Sequence, residues 1–316
     1  MQTPKFIYYI RANIMMLTPK WLLRFRAKRA LRKVAKRPDR KYIMERVDYY
    51  NKLGKGISLP SHAPKLKEHT LKNKKCGSTY FYDSYEVTRH FPNHLRWLLK
   101  GGDVTTIPPH PTVVKSRPRE GDNANSVVLK LDKHRHFVFV NDKIPFEKKE
   151  DLIIFRGDAN GKPGRISFFE KWFGHPKCSL VDTAKHSTNP QEWKGGKMTI
   201  KEHLKYRYIL ALEGVDVATN LKWVMSSNSI AIMPRPVYEI WFMEGKLIPN
   251  YHYIEIKPDY SDLLERVEYY NNHIDEAKEI IRHANEYASQ FRDKKREKLI
   301  QLLVMDKYFK NTGQNF

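Results

Sequence analysis

The chain has 316 residues, 41% hydrophobic and 12% aromatic. That composition excludes a disordered chain and leaves length for roughly two domains of about 150 residues each. Its formal net charge of +23 points to an anionic partner (nucleic acid, lipid headgroups or phosphorylated ligands) or to a solvated basic surface. Only Cys76 and Cys178 occur, with no CxxC or Cys/His cluster, so neither a zinc site nor a disulfide framework is expected and a reducing cytosol fits.

Residues 5–37 read as helix, broken at Pro19. The first 41 residues hold thirteen Lys and Arg against one acid, Asp39, about half of the net charge. After Pro19, Trp21, Leu22, Phe25, Leu31 and Val34 stand among cations. This is the profile of an interfacial amphipathic helix, and equally of a helix packed on its own domain. Arg11 and Asn13 interrupt the apolar run, so no signal peptide is read here. No stretch reaches the ~20 apolar residues of a membrane span.

Residues 52–78 read as loop and about 83–100 as helix, with Pro92 as an interruption. Gly101-Gly102-Asp103 opens a strand-like run, followed by a Pro-rich turn and TVVKSRP. HFVFV (136–140) and LIIF (152–155) read as buried strands. Regular alternation follows: helix near 165–173, strand 178–182, helix 199–204, strand 206–212, helix 217–226, strand 229–233, helix 236–243, strand 251–256 and helix 260–270. A long polar helix with room for one break covers 273–309. Such alternation builds a parallel sheet with helices on both faces, whose ligands bind at the carboxyl ends of the strands.

Three constellations carry candidate chemistry. In the first, a buried strand ends in Phe155-Arg156-Gly157-Asp158 and runs through Lys162 to Arg165. Its glycines allow close backbone approach and its cations suit a diphosphate, although a basic surface turn has the same composition. It is neither a Walker A loop nor GxGxxG. In the second, strand ILAL runs into Glu213-Gly214-Val215-Asp216-Val217-Ala218-Thr219-Asn220-Leu221-Lys222, where the following helix offers its first N–H groups to an anion or is simply a capped surface helix. In the third, Asp103 is a candidate general base or a turn-forming Asp. Glu239, an acid among aromatics in YEIWF, reads as a donor-ribose ligand or as a partner of Arg235. The thirteen histidines form no HExxH and no legible triad.

Residues 205–291 resemble glycosyltransferase family 90, which includes LpsA-type bacterial lipopolysaccharide glycosyltransferases, fungal capsule-associated proteins and animal protein O-glucosyltransferases. The resemblance rests on an ordered series: KYRYILALEG, then LK, then SSNS before an apolar strand, then YEIWF, then HYIEIKPDYSDL. The FRG turn at 155–157 extends it to about 150–291, and the short, cationic form is most similar to the LpsA-type members. The resemblance implies a GT-B fold of two Rossmann-like domains facing across a cleft. Its segments would be a basic helical segment (1–45), an acceptor-side domain (46–150), a nucleotide-sugar domain (151–291) and a C-terminal helix returning to the first domain (292–316). It implies a UDP-sugar co-substrate with no bound cofactor or metal, and inversion by one base while cations and amides neutralise the diphosphate. Carried over by position, Asp103 is the base. The donor contacts are Arg156, Gly157, Asp158, Arg165 and the loop Gly214 to Asn220, with Lys222 and Glu239. The family often has Arg where this chain has Asn220; Lys222 or Arg165 would then supply the charge.

The resulting expectation is a hexosyl- or pentosyltransferase of lipopolysaccharide or other surface-glycan synthesis. It would be cytoplasmic and peripheral on the inner face of the cytoplasmic membrane, with an anionic surface and a lipid-linked or glycan acceptor as partners. A basic nucleic-acid-binding protein is the alternative from charge alone, without a helix-turn-helix, RNP or KH pattern to support it. A non-catalytic scaffold is the alternative from the Asn220 departure.

Overall fold

The computed structural model describes residues 5–72 and 77–315; Cys76 lies outside them. In chain order the elements are α1 (Lys5–Met16), α2 (Lys20–Lys33), α3 (Arg40–Tyr50), α4 (Ser78–Thr88), β1 (Leu99–Lys100), β2 (Thr112–Val114), β3 (Arg117–Pro118), β4 (Ser126–Val128) and α5 (Lys133–His136). Then come β5 (Glu150–Gly157), α6 (Pro163–Trp172), β6 (Cys178–Asp182), α7 (Ile200–His203), β7 (Tyr206–Leu210), α8 (Leu221–Val224), β8 (Ile230–Met233), β9 (Tyr238–Glu239), β10 (Ile254–Glu255), α9 (Leu263–Asn272), α10 (Ile274–Ser289) and α11 (Lys294–Asn311). The chain is an α/β protein with parallel sheets.

Two compact units form. One comprises residues 136–237 and 243–290 and holds a sheet of order β10-β8-β7-β5-β6, parallel throughout. Its central strands are continuous apolar runs because helices cover both faces: Ile153, Ile154, Tyr208, Ile230 and Ile232 are buried. α6 starts with Pro163 at its first turn, where a missing N–H is harmless. α10 buries Ala277, Ile280, Ile281, Ala284 and Ala288, a stripe of helical period.

The other unit is assembled from the chain up to residue 135, residues 238–242 and residues from 291 onward. It holds the parallel sheet β1-β2-β4 and the antiparallel pair β3-β9. α11 packs on α2, α3 and α4. Its core contains a buried carboxylate, Glu297, which accepts hydrogen bonds from Arg46 at 2.5 Å, Trp241 Nε1 at 2.6 Å and Lys130 at 3.1 Å. Tyr50 stacks on Trp241 at 3.8 Å between ring centroids. A buried charge needs this many partners to be tolerated.

Several local expectations are corrected. Residues 137–140 form no strand; the Val140 N–H donates to Ser226 Oγ at 2.9 Å instead of to a ladder. The helix expected at 217–226 is only Leu221–Val224. Gly214 N–H bonds Asp216 O across a tight turn, and Ser226 and Ser227 turn their hydroxyls back onto Trp223 O and Val224 O, which ends the helix early. The helix expected at 236–243 is absent; Pro234 and Pro236 lack donors, and Tyr238–Glu239 pairs with Arg117–Pro118. The strand near Asp103 precedes it, as β1.

Candidate active site at the carboxyl ends of the five-stranded sheet

β7 exits into Ala211-Leu212-Glu213-Gly214, β8 into Pro234-Arg235-Pro236-Val237 and β10 toward Pro258 and Tyr260. Together with Gly164 of α6, Val217, Ala218 and Glu244, these exits line a cleft of about 260 Å³. It lies at the carboxyl edge of the sheet, where α/β proteins place ligands.

Arg165 sets the shape of one wall. Its guanidinium donates to the carbonyls of Asp158 at 2.7 Å, Leu212 at 2.8 Å and Glu213 at 3.1 Å, and packs on the Phe155 ring. Burial lowers its pKa from the ordinary arginine value, yet it keeps its charge because guanidinium is so weak an acid. A fixed cation therefore lies directly beneath the Glu213–Gly214 loop. Tyr260 donates its hydroxyl to Gly164 O at 2.8 Å, which ties the start of α6 to the β10 exit. Its own φ is +60°, a strained conformation for a bulky residue. Met243, just before Glu244, has φ +55°. Backbone strain of this kind gathers at functional sites.

The floor is polar and satisfied. Glu244 is buried, and Lys222 donates to its Oε1 at 2.7 Å. The Glu213 carboxylate accepts the Val237 N–H at 3.1 Å, joining the β7 and β8 exits. Asp182, at the end of β6, organises the neighbouring loop: it accepts from Ala159 N, Ala184 N, Ser187 Oγ and Asn189 Nδ2 at 2.6–3.0 Å. Burial opposes its ionisation, but these hydrogen bonds prevail and hold its pKa below the usual carboxylate value.

Comparison with known proteins decides the class. The family model described as glycosyl transferase family 90 matches residues 128–308. The O-glucosyltransferase LpsA of Dichelobacter nodosus is 40% identical over 98% of this chain and 96% of its own length. This chain belongs to glycosyltransferase family 90. It is a glycosyltransferase. Protein O-glucosyltransferase 1 of Rattus norvegicus is 30% identical over 45% of this chain and 38% of its own length. An uncharacterized protein, 179R, of Invertebrate iridescent virus 6 is 24% identical over 75% of this chain and 23% of its own length.

Within this family 90 chain, the cleft gathers only part of the site read from sequence. Gly214, Val217 and Ala218 line it, and Arg165 lies behind Gly214. Arg156 does not reach it, because its guanidinium bonds Phe155 O, Ser179 O and Ser179 Oγ within the sheet. Gly157 serves the strand end, since a Cβ there would stand 2.7 Å from the Phe155 ring. Asp158 pairs with Lys162 at 2.8 Å. Val215 is exposed, Asp216 buried and Thr219 half-buried, none of them in the lining. Asn220 donates Nδ2 to Leu210 O at 2.8 Å, so it latches the loop to β7. Lys222 is fully buried on Glu244.

Two of the expected residues belong to the other unit. Glu239 is buried there, accepting from Arg117 Nε at 2.8 Å and from Tyr49. Asp103 follows β1 and pairs with the buried ammonium of Lys115, which follows β2. Ser116 Oγ fixes the loop through Val104 N at 2.9 Å. Asp103 thus sits at the carboxyl edge of the three-stranded sheet, partly open to solvent, with one oxygen held by Lys115. Sequence reading missed Val237, Glu244 and Tyr260, and took Arg235 only as a partner of Glu239, whereas Arg235 pairs with Glu255 at 2.9 Å.

Proposed function

We propose that the protein transfers a hexose, glucose in the first instance, from a UDP-sugar to a hydroxyl of a lipid-linked glycan such as lipopolysaccharide. The observation that carries this is the end-to-end 40% identity to a relative named as an O-glucosyltransferase. In this reading the two parallel-sheet units are the Rossmann-like halves of a GT-B fold. The donor occupies the cleft at the β7 and β8 exits, with the nucleotide against Val217 and Ala218. The cationic wall at Arg165, with Arg235, faces the diphosphate.

The step is an inverting displacement. The acceptor oxygen forms its bond to the anomeric carbon as the bond to the UDP oxygen breaks, and UDP leaves with that electron pair. Asp103 takes the acceptor proton. Lys115 orients the carboxylate through one oxygen and leaves the other for the acceptor hydroxyl. UDP-sugar is the co-substrate, and no resident cofactor is invoked. The acceptor is held at an anionic membrane surface, on the cytoplasmic side; no described helix is long and apolar enough to cross a membrane.

Purified protein incubated with a panel of UDP-sugars tests the reading through UDP release and thermal stabilisation. UDP-glucose should give the fastest release. Absence of both release and stabilisation with every sugar would sink it.

A further inference from the structure

Six of the thirteen exposed large hydrophobic residues among those described fall within twenty positions of the chain: Phe6, Ile10, Ile14, Leu17, Trp21 and Phe25. The spacing of 4 and 4 puts Phe6, Ile10 and Ile14 on one face of α1, and the spacing of 4 puts Trp21 and Phe25 on one face of α2, with Leu17 exposed in the turn between them. Trp21 is 71% and Leu17 82% exposed, far beyond the scattered apolar residues that any surface carries.

The face is held outward by the opposite one. Ala12 is buried with Phe81 and Tyr82 of α4. Tyr8 donates to Asp83 at 2.9 Å, Tyr9 shares a hydrogen bond with Ser78 at 3.0 Å, and Tyr82 donates to Asn13 at 3.0 Å. On α2, Leu23 and Ala27 are buried, and Arg24 bonds Asn93 at 3.0 Å. These contacts fix the rotation of both helices. Val34, part of the apolar set read from sequence, is buried and does not belong to this face. On α2 the stripe runs out into exposed Lys28, Arg29 and Arg32.

We infer that α1 and α2 together form an interfacial wedge for an anionic phospholipid surface, with Phe6, Ile10, Ile14, Leu17, Trp21 and Phe25 entering the acyl boundary and Lys28, Arg29 and Arg32 meeting headgroup phosphates. The inference rests on the proposed membrane-held acceptor and adds which residues make the contact. Charge selects the occupant. No acid precedes Asp39, so a second copy of the chain would set one cationic face against another, whereas anionic lipid is attracted by each Lys or Arg near its surface. Tryptophan suits the boundary between acyl chains and headgroups.

The test uses the full chain with vesicles of phosphatidylcholine alone or mixed with phosphatidylglycerol. Of six tryptophans, only Trp21 is exposed, so a blue shift and quenching by brominated lipid report its insertion. Wild type should sediment with the mixed vesicles and not with phosphatidylcholine alone. The variant Ile10→Ser/Ile14→Ser/Trp21→Ser/Phe25→Ser should bind about tenfold more weakly or worse. Lys28→Gln/Arg29→Gln/Arg32→Gln should lose roughly a hundredfold, at about fivefold per cation. Absent binding by wild type, binding as tight as wild type by both variants, or a concentration-dependent dimer that the Ser variant abolishes would each overturn the inference. UDP release from UDP-glucose without vesicles separates the two proposals. Both variants should keep it; a wild type that binds vesicles but releases no UDP leaves the wedge standing and removes UDP-glucose as the donor.

Discussion

Arg165 and Gly214 are in contact so close that a Cβ on residue 214 would stand 3.1 Å from Arg165 Nη2. The glycine lets a thrice-bonded guanidinium lie beneath the strand-exit loop, and the loop in turn presents its backbone to the cleft.

Gly214→Ala should therefore shift the guanidinium by a few tenths of an ångström against its carbonyls and weaken those hydrogen bonds while the fold survives. Calorimetric titration with UDP should show affinity lowered about tenfold, the equivalent of one lost charge-assisted hydrogen bond. Arg165→Lys should do the same and lower stability by about 1–3 kcal/mol, since an ammonium does not reproduce the planar fork. Unchanged UDP affinity in both variants would remove Arg165 from the donor wall.

Asp103→Asn keeps size and polarity and removes the carboxylate proposed as proton acceptor. Transfer should fall between about a hundredfold and ten-thousandfold, with UDP binding within twofold of wild type by calorimetry. Full transfer activity would end the assignment of Asp103 as base.

Lys222 and Glu244 are both buried and bonded at 2.7 Å. Lys222→Met strands the carboxylate and should cost about 3–5 kcal/mol in urea unfolding; Lys222→Met/Glu244→Leu should recover most of it. A single variant as stable as wild type would mean that Glu244 is reached by water or another cation.

Burial pushes His69, His90 and His252 from the ordinary 6.5 down to about 4. The unfolded chain then binds more protons than the native one below pH 6.5, so stability present above that pH is lost as pH falls toward about 4. Asp83 acts in the opposite sense, because burial raises its pKa from 3.8 to about 6; the native state holds its proton longer, and stability from this group declines as pH rises across that interval. Denaturant midpoints between pH 7 and 4 should fall with acidity, less steeply in His90→Asn and more steeply in Asp83→Asn. Parallel curves for all three proteins would refute this distribution.

The parts of the fold legible in sequence are those decided locally. LIIF and IAIM are unbroken apolar runs; the first lies within β5 and the second is β8. CSLVD is β6 to the residue, and the long polar helix read over 273–309, with room for one break, is divided into α10 and α11. HFVFV has the same chemistry as LIIF, yet its Val140 N–H meets a serine 86 residues away; composition alone does not say whether a neighbouring strand is available. Tyr238–Glu239 pairs with a segment 122 residues distant, which no local period reveals. The cleft is likewise a product of strand order. Gly214 is readable as a loop glycine, but Glu244, Arg235 and Tyr260 come together only because β10, β8 and β7 are neighbours. Asn220 read as a gap in a cationic pattern, whereas its amide serves as a backbone latch.

The assembly of one unit from three separate stretches of chain constrains how this protein is made and altered. A ribosome must deliver residues 238–242 and α11 before that unit can close around Glu297, so its amino-terminal helices emerge long before their core is complete. For the same reason, no single recombination breakpoint transplants either unit intact. Either unit is altered by point substitution more readily than by exchange of a cassette.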